Sequence, residues 1–373
     1  MSAASGVVEE SDLLRTSPEI AGAYERARIA AGDVVLSIGP SYGKVMVVPE
    51  TLAGANLTQG TARLAPGPNT DARWLYWALQ ARTSVGYWDA VAAGGTFHAL
   101  NLGPLSETPL PLVLLKEQRR IADFLDDRVS RIDNVIAARQ AQAARVEEAH
   151  AAWLERLLVA PATGPGRTLQ SLTDPARPIQ YGIVLPGPDF ADGVPIIKGG
   201  DVRGGRIDPD RLRRTDPEID AQYARSRVRG GDLVIAIRGS VGELALVPHE
   251  LTGANLTQDS ARIAPRGCDP AWLHAVLRTP TVQARMARMV VGATVRGINI
   301  SDLRRIVVPV PESIEEQRVC ADLAGDVDRR AASFAAAIAQ STDRLAEYKQ
   351  SLITAAVTGE FDVTTSSGPG LPA

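Results

Sequence analysis

The chain has 373 residues, of which 45% are hydrophobic and 22% charged, which suits about two folded domains and excludes a largely disordered chain. With 40 Lys and Arg against 43 Asp and Glu, the formal net charge of −3 excludes a nucleic-acid binder that acts through bulk positive charge. Two cysteines are too few for a disulfide framework, and neither a membrane-spanning apolar run nor a signal-peptide pattern is present. These features predict a soluble, cytoplasmic protein.

An internal repeat organises the chain. The segment Gly54-Ala-Asn-Leu-Thr-Gln59 returns as Gly253-Ala-Asn-Leu-Thr-Gln258, an offset of 199 residues. The same offset relates three further pairs: Gly32-Asp33 with Gly231-Asp232, Val48-Pro49 with Val247-Pro248, and Glu117-Gln118 with Glu316-Gln317. Chance does not produce such a register, so the sequence indicates a tandem duplication.

Each copy predicts the same elements in the same order. First comes a buried strand, at 33–38 or 232–237, that a Gly-rich turn closes. A short helix follows at 74–81 or 272–278, and then a Pro-bounded strand at 109–113 or 306–311. A long helix ends each copy.

The long helices carry apolar residues at alternating steps of four and three, which predicts a narrow coiled-coil seam. Arg139, His150 and Ser341 interrupt the seams and either fix the register or lie at its edge. We expect the two helices to pair with each other in antiparallel orientation, with the two domains related by a pseudo-twofold axis. The residues predicted to pack between the helices are Leu125, Ile132, Ile136, Trp153, Phe334, Ile338, Leu345, Tyr348 and Leu352.

Three segments carry a family resemblance. Glu117-Gln118 and Pro309-Val-Pro-Glu-Ser-Ile-Glu-Glu316-Gln317 resemble the openings of the spacer helices in specificity subunits of type I restriction-modification systems. Glu347-Tyr-Lys-Gln-Ser-Leu-Ile-Thr-Ala-Ala-Val-Thr-Gly359 is similar to the C-terminal helix of that family. The end of the first helix, Trp153-Leu-Glu-Arg-Leu-Leu158, is a weaker version of the same motif.

The resemblance implies an α+β fold of two tandem α/β target-recognition domains joined by two long antiparallel coiled-coil spacer helices. It divides the chain into a first recognition domain at 1–115, a spacer helix at 116–160, a linker at 161–167, a second recognition domain at 168–311, a second spacer helix at 312–361 and a disordered tail at 362–373.

The same resemblance implies a non-catalytic subunit. Each recognition domain would read one half of a bipartite site in double-stranded DNA, while the helices set the spacing and dock two methyltransferase subunits. Motor-nuclease subunits would join for cleavage. S-adenosylmethionine, ATP and Mg²⁺ would belong to those partners, and no cofactor or metal is expected on this chain.

No motif for catalysis by the chain itself emerges. Gly39-Pro-Ser-Tyr-Gly-Lys44 resembles a phosphate loop only superficially, and the second copy has Glu243 in place of Lys44. Two alternatives stay open. One is a coiled-coil scaffold that does not read DNA, and the other is a specificity subunit of a methylation-only orphan or phage-defence system.

Charge is unevenly distributed between the copies. Residues 200–305 hold 17 Arg against 12 acidic residues, whereas residues 1–107 hold 7 Lys and Arg against 10 acidic residues. We expect the second domain to supply more of the phosphate attraction, unless the arginines merely reflect composition. The candidate DNA-binding residues are Tyr42, Lys44, Asn56, Gln59, Arg63, His98, Tyr181, Lys198, Arg203, Arg206, Arg238, Ser240, Asn255, Gln258, Arg262, Arg288, Thr294, Arg296 and Asn299.

The duplication separates these candidates into two groups. Residues identical in both copies cannot distinguish two different half-sites, so Asn56/Asn255, Gln59/Gln258 and Arg63/Arg262 favour a shared positioning or structural role. Loop positions that differ are the predicted specificity residues: Pro40/Gly239, Tyr42/Val241, Lys44/Glu243, Gly60/Asp259, Phe97/Val295 and His98/Arg296.

The copies also differ in extent. The offset places Met1 opposite Gly200, so the first copy lacks a counterpart of residues 168–199 and is interpreted as N-terminally truncated. Because a missing strand leaves backbone groups unpaired, we expect the first domain to be the less stable one.

Overall fold

A computed structural model describes residues 13–92, 99–161, 166–292 and 297–364. They form two compact units: unit 1 comprises Met1–Ala141 with Ala337–Ala373, and unit 2 comprises Gln142–Ala336. The predicted α+β class with two domains and two long helices is confirmed. The predicted site residues His98, Thr294 and Arg296, and the positions Phe97 and Val295, lie outside the described residues. In the described part, no helix is both long and apolar enough to cross a membrane.

The helices of the described residues include two that are far longer than the rest. They are α1 (Pro18–Ala23), α2 (Ala72–Gln80), α3 (Arg82–Ala92), α4 (Leu102–Ser106), α5 (Leu115–Leu158), α6 (Pro217–Gln222), α7 (Pro270–Leu277), α8 (Pro280–Ala287), α9 (Ile300–Arg305) and α10 (Ile314–Thr358).

The strands of the described residues are short. They are β1 (Val34–Ser37), β2 (Val45–Val47), β3 (Thr61–Leu64), β4 (Arg167–Thr168), β5 (Gln180–Tyr181), β6 (Val194–Ile197), β7 (Val202–Arg203), β8 (Arg206–Ile207), β9 (Arg213–Thr215), β10 (Leu233–Ala236), β11 (Leu244–Leu246), β12 (Asn255–Leu256), β13 (Ser260–Ile263) and β14 (Val307–Val308).

The sheet of unit 1 is antiparallel in the order β2-β1-β3, with Val34 opposite Val47 on one side and Leu64 on the other. Because side chains alternate along a strand, Val34 and Leu36 enter one core with α2, α3 and α5, while Val35 enters a second core on the other face. Both faces of β1 are therefore covered, which explains why residues 33–38 form a continuous apolar run.

Unit 2 repeats this sheet and extends it. The order β11-β10-β13 matches unit 1, and β5 adds a fourth strand against β13. Leu233 and Ile235 face one core, and Val234 faces the other. Unit 2 also contains a sheet in the order β12-β6-β9, the hairpin β7-β8 and the pair β14-β4.

One predicted strand is wrong. No strand forms at 109–113 in the described part of unit 1, whereas its counterpart β14 pairs with β4 through Val307 and Thr168. A strand needs a neighbour for its backbone hydrogen bonds, and the described residues of unit 1 offer no equivalent of β4. The corresponding Leu112 and Leu114 are exposed.

In each unit, a part of α5 packs against a part of α10 in antiparallel orientation. In unit 1, Lys349 Nζ lies 2.6 Å from Asp133 Oδ1, and the Phe124 and Phe361 rings are 5.4 Å apart. In unit 2, His150 Nε2 lies 2.7 Å from Asp328 Oδ1, and the later Leu154 shares a core with the earlier Ala324. Of the predicted packing residues, Leu125, Ile132, Ile338, Leu345 and Leu352 are buried, Ile136, Tyr348 and Trp153 are half-buried, and Phe334 is 38% exposed.

The repeated Glu-Gln pair attaches each long helix to its unit. Gln118 Oε1 accepts a hydrogen bond from Asp71 N at 2.8 Å, and Gln317 Oε1 accepts one from Asp269 N at the same distance. Asp71 and Asp269 are the N-cap residues of α2 and α7. Both glutamines are buried, so each holds the start of a long helix against the start of a short one.

Candidate nucleic-acid interface

Loops gather at the carboxyl end of β10 in unit 2. Ile237 N donates to Asp259 O at 2.8 Å, and Ile298 N donates to Ile237 O at 2.9 Å. Gln258 N donates to Ile183 O at 2.9 Å, which brings the segment after β5 to the same place. We call this surface the loop edge of unit 2, and it comprises residues 181–183, 197–201, 237–243, 257–259 and 297–299.

Unit 1 has the same feature on the same strand. Ile38 N donates to Gly60 O at 2.9 Å, and Leu100 N donates to Ile38 O at 2.9 Å. The loop edge of unit 1 therefore comprises residues 37–44, 58–60 and 99–101. It contains fewer segments than the loop edge of unit 2.

In each unit, a glycine with a left-handed backbone lies near the end of the loop that follows the central strand, at 37–44 after β1 and at 237–243 after β10. Gly43 has φ of 90° and Gly242 has φ of 96°, a conformation that L residues with a Cβ rarely adopt. A Cβ at Gly242 would also lie 2.5 Å from Gln283 Oε1. The repeated glycine therefore fixes how both loops turn back into β2 and β11.

About half of the predicted site residues lie on the loop edges. Tyr42 is half-buried, and its hydroxyl donates to Asp89 Oδ1 at 2.7 Å, which raises the pKa of the phenol and keeps it protonated. Lys198 and Gln258 are half-buried, and the remaining members of this group are exposed: Lys44, Gln59, Tyr181, Arg238, Ser240 and Asn299.

Three predicted arginines of unit 2 lie elsewhere. Arg203 belongs to β7 and donates from Nε to Gly200 O at 2.9 Å, beside the loop edge. Arg206 lines a cavity of about 460 Å³ together with His150 and His274. Arg288 is the exposed C-cap residue of α8.

The repeated asparagines point into the units. Asn56 Nδ2 donates to the carbonyl oxygens of Ala21 and Tyr24. Asn255 Nδ2 donates to Tyr223 O at 3.2 Å, the position equivalent to Tyr24, and the side chain is fully buried. Both amides therefore hold the chain that follows a short helix, α1 or α6, and satisfy its carbonyl groups.

The repeated arginines have different partners in the two units. Arg63 Nε donates to Asp33 Oδ2 at 2.6 Å. Arg262 is 2% exposed and donates to the carbonyl oxygens of Arg225, Arg227 and Pro178 at distances of 2.6, 2.8 and 3.2 Å.

The carboxylate equivalent to Asp33 has changed partner in unit 2. Asp232 accepts two hydrogen bonds from Arg177, at 2.8 and 2.5 Å, and Arg177 also donates to Arg227 O at 3.5 Å. Arg177 precedes β5, in the part of unit 2 that has no described counterpart in unit 1.

Sequence reasoning missed three features of unit 2. Arg225, Arg227 and Arg229 surround a basic cavity, and the alternating arginines of Arg225-Ser-Arg-Val-Arg229 are the sequence signal for it. Gln283 donates to Gly242 O at 3.1 Å and lines a groove of about 600 Å³ with Ser240, but it has no distinctive sequence pattern.

The third missed feature is His274, whose burial lowers its pKa to about 4. Its Nε2 is buried and has no hydrogen-bond partner in the described part of the chain. The imidazole is therefore neutral at pH 7.

Exposed Arg, Lys, Gln, Asn and Ser side chains on a loop edge can donate hydrogen bonds to phosphate oxygens and to base edges in a groove. Residues 13–92, 99–161, 166–292 and 297–364 contain no cluster of three His, Cys, Asp or Glu side chains that could hold a metal ion. The chemistry that these loop edges offer is recognition by hydrogen bonds and charge.

Three comparisons agree with this description. A family model described as Type I restriction modification DNA specificity domain matches residues 5–143. The specificity subunit of the type I restriction enzyme EcoBI from Escherichia coli is 28% identical over 321 residues, which span 78% of this chain and 65% of that protein. The chain therefore spans slightly less than two thirds of the length of that curated relative.

One solved structure extends the likeness of fold to most of the chain. It is described as the structural basis of complex assembly and conformational transition of the type I R-M system, and it covers 90% of this chain and 83% of its own at a TM-score of 0.70 and 22% identity. The HsdS subunit from Thermoanaerobacter tengcongensis covers 90% and 82% at a TM-score of 0.46 and 21% identity.

The class of protein follows first from the fold: a duplicated α+β chain in which each copy carries a loop edge and ends in a long helix. Within this class, the matching family model and the curated relative are both described as specificity proteins of type I restriction-modification systems, and the solved structure shares the fold.

Proposed function

We propose that this chain is the non-catalytic DNA sequence-recognition subunit of a type I restriction-modification complex. Each unit reads one half of a bipartite site in double-stranded DNA. The observation that carries the proposal is the duplicated loop edge, in which the same strands, glycine turns and hydrogen bonds present different side chains. A common scaffold with variable exposed donors is what two different half-sites require.

The positions that differ are the proposed reading residues. Lys44 in unit 1 corresponds to Glu243 in unit 2, and both are exposed. A lysine attracts a phosphate or donates to guanine, whereas a glutamate accepts from the amino group of cytosine. Tyr42 and Val241 also differ in the contacts they can make. Tyr42 carries a hydroxyl that can hydrogen-bond, whereas Val241 can contact only apolar groups such as the thymine methyl.

The identical positions are proposed to maintain the scaffold. Asn56 and Arg262 donate to backbone carbonyl groups within the unit, and Asn255 donates to Tyr223 O and to the Asp220 carboxylate. Arg63 uses its guanidinium on Asp33. These bonds support a structural role for the repeated residues, in line with the argument that identical side chains cannot distinguish two half-sites.

We propose residues 1–115 and 168–311 as the recognition domains, with 116–160 and 312–361 as spacer helices that set the separation of the half-sites. Two methyltransferase subunits dock on these helices, and motor-nuclease subunits join the complex for cleavage. S-adenosylmethionine, ATP and Mg²⁺ bind to those partner subunits. The antiparallel packing of α5 and α10 within each unit supports a spacer role.

The decisive experiment is methylation sequencing of the host genome with this gene intact and deleted. We expect a bipartite motif, two short specific halves separated by a fixed gap, whose methylation disappears on deletion. Complementation with the intact gene restores it. An unchanged methylation pattern would favour a scaffold that reads no DNA.

A loop exchange then tests the reading residues. Unit 1 receives Tyr42→Val with Lys44→Glu, and a second variant carries Val241→Tyr with Glu243→Lys in unit 2. Each is expected to change one half of the methylated motif and to leave the other half intact. Arg211→Gln, at an exposed position outside the loop edges and the long helices, serves as the control that changes charge elsewhere. A motif that both exchanges leave unaltered contradicts the assignment of these loops.

A further inference from the structure

A second basic feature of unit 2 lies away from its loop edge. A cavity of about 590 Å³ opens where the chain leads into β10, whereas the loop edge follows the other end of that strand. Four strand residues separate the two ends by about 13 Å. We call this feature the basic cavity, and its arginines are Arg177, Arg225, Arg227, Arg229 and Arg262.

Two of the five arginines are neutralised by buried carboxylates. Arg177 forms two hydrogen bonds with Asp232, whose side chain is 5% exposed. Arg227 pairs with Asp220, and its Nε lies 2.9 Å from Asp220 Oδ2. These two pairs fix the wall of the cavity but contribute little net charge.

The other three arginines have no acidic partner in the described part of the chain. Arg225 and Arg229 are exposed, and their guanidinium groups form no hydrogen bond or ion pair there. Arg262 is buried and has only neutral carbonyl oxygens as partners. The basic cavity therefore carries an excess of three positive charges.

The environment of Arg262 makes this excess costly. Burial is the main cause that lowers the pKa of the Arg262 guanidinium. The charges of Arg177 and Arg229 lower it further, and the carboxylates of Asp232 and Asp174 oppose the shift. Arg262 Nε is also buried without a hydrogen-bond partner among the described residues. An anion in the cavity would offset this repulsion, because opposite charge favours the ionised form of the guanidinium.

Unit 1 repeats only part of this cluster, with Arg26 and Arg28 at the positions of Arg225 and Arg227. The position equivalent to Arg229 is Ala30, and Arg63, which corresponds to Arg262, pairs with Asp33. The described residues of unit 1 contain no counterpart of Arg177. The described residues of unit 1 therefore hold a smaller cluster of unpaired arginines than the basic cavity of unit 2.

We propose that the basic cavity of unit 2 binds a phosphate group, held by Arg225 and Arg229 above the buried charge of Arg262. Planar guanidinium groups match the oxygens of a phosphate with two parallel hydrogen bonds. The phosphate comes either from the backbone of duplex DNA or from a free phosphate compound. The proposal does not rest on reading by the loop edges, because a phosphate contact carries no base information.

The test uses the full chain and two double variants. Arg225→Gln with Arg229→Gln removes both free guanidinium groups, which are exposed and not needed for packing. Arg211→Gln with Arg213→Gln removes the same charge from exposed arginines of unit 2 that do not line the basic cavity. Circular dichroism and thermal unfolding confirm that both variants fold like the unaltered chain.

Two ligands distinguish the sources of phosphate. Inorganic pyrophosphate is titrated by calorimetry, and a duplex of arbitrary sequence is titrated by fluorescence anisotropy at several salt concentrations. We expect the cavity variant to bind at least one of them about tenfold more weakly or worse, while the control variant stays within about twofold. For the duplex, the loss should also reduce the slope of log K against log salt by about one or two.

Each outcome decides the proposal. Loss of pyrophosphate binding with unchanged duplex binding assigns a free phosphate compound, and loss of duplex binding beyond the control assigns the DNA backbone. Equal behaviour of the cavity and control variants with both ligands overturns the proposal. Poly-glutamate that binds as tightly as either phosphate ligand, and is lost in the same variant, overturns the preference for phosphate.

Discussion

Units 1 and 2 each contain an equivalent sheet and an equivalent loop edge, but the equivalent arginine and aspartate have different partners in the two units. In unit 1, Arg63 pairs directly with Asp33. In unit 2, Arg177 takes the equivalent Asp232, and Arg262 is turned to three backbone carbonyl groups. Residues 167–215 of unit 2 supply Arg177 and the strands β5, β6 and β9, and the described residues of unit 1 contain no equivalent segment. This segment changes the electrostatics around β13, whose counterpart in unit 1 is β3. A repeated residue therefore need not keep its partner.

The largest difference between the units is expected at these arginines. Arg262→Met leaves three carbonyl oxygens without their donor in a buried site, and we expect a loss of about 3–4 kcal/mol in the free energy of unfolding. Arg63→Met should cost only about 1–2 kcal/mol, because its side chain is 36% exposed and water can reach Asp33.

Chemical denaturation gives the total loss, and hydrogen exchange read by mass spectrometry assigns it to a unit. Arg288→Met, at an exposed position, is the control and should have an effect within about 0.5 kcal/mol. Equal losses for Arg262→Met and Arg63→Met would contradict the partner change.

The buried glutamines give a second, smaller contrast. Gln118 bonds to Asp71 N and to the carbonyl oxygens of Asn69 and Val113, whereas Gln317 bonds to Asp269 N. We expect Gln118→Ala to lower the free energy of unfolding by about 3 kcal/mol and Gln317→Ala by about 1.5 kcal/mol.

The neighbouring positions supply matched controls for the glutamines. Arg119→Ala and Arg318→Ala alter exposed residues one position later and should each cost less than about 0.5 kcal/mol. Thermal unfolding of the four variants measures these losses in stability. A larger loss for Gln317→Ala than for Gln118→Ala would show that the bonds do not set the strength of the helix attachment.

A third contrast depends on pH. His274 in unit 2 corresponds to Tyr76 in unit 1, and burial lowers the pKa of the histidine from 6.5 to about 4. As pH falls below 6.5, His274 is protonated in the unfolded chain, whereas in folded unit 2 it stays neutral until about pH 4. The contribution of neutral His274 to the free energy of unfolding is therefore fully present above pH 6.5 and declines as pH falls.

Between pH 7 and pH 5, we expect unit 2 to lose about 2 kcal/mol through His274, a change that has no counterpart at Tyr76. Arg278 lowers the pKa of His274 further, and Asp328 opposes the shift. Hydrogen exchange at the two pH values measures the loss for each unit. The variant His274→Gln should remove the excess loss in unit 2, and its persistence would assign the effect to another group.

The smallest effect is expected on the loop edge of unit 1. Tyr42→Phe removes one hydrogen bond to Asp89 near the surface, so the free energy of unfolding should fall by only about 0.5–1 kcal/mol. Thermal unfolding measures this change, with Tyr24→Phe at an exposed position as the control. A loss above about 2 kcal/mol would mean that Tyr42 is a structural residue, which would leave it less free to contact DNA.

The sequence by itself determined the duplication, the central strands and the two long helices. A repeat of 199 residues is visible as identity, and the periodicities of strands and helices follow from backbone geometry alone. The strand predicted at 109–113 was wrong because a strand depends on a neighbour, and the alternating pattern of a chain segment does not record whether that neighbour exists.

Only the tertiary structure decided which polar residues face inward. Arg262 and Asn255 match Arg63 and Asn56 in sequence, yet the first two are almost fully buried and the latter two are not. Arg177 and Arg229 lie 52 residues apart in the chain but surround one cavity with Arg262. Side-chain partners and local charge depend on contacts between distant segments, and such contacts arise from packing rather than from any local pattern of residues.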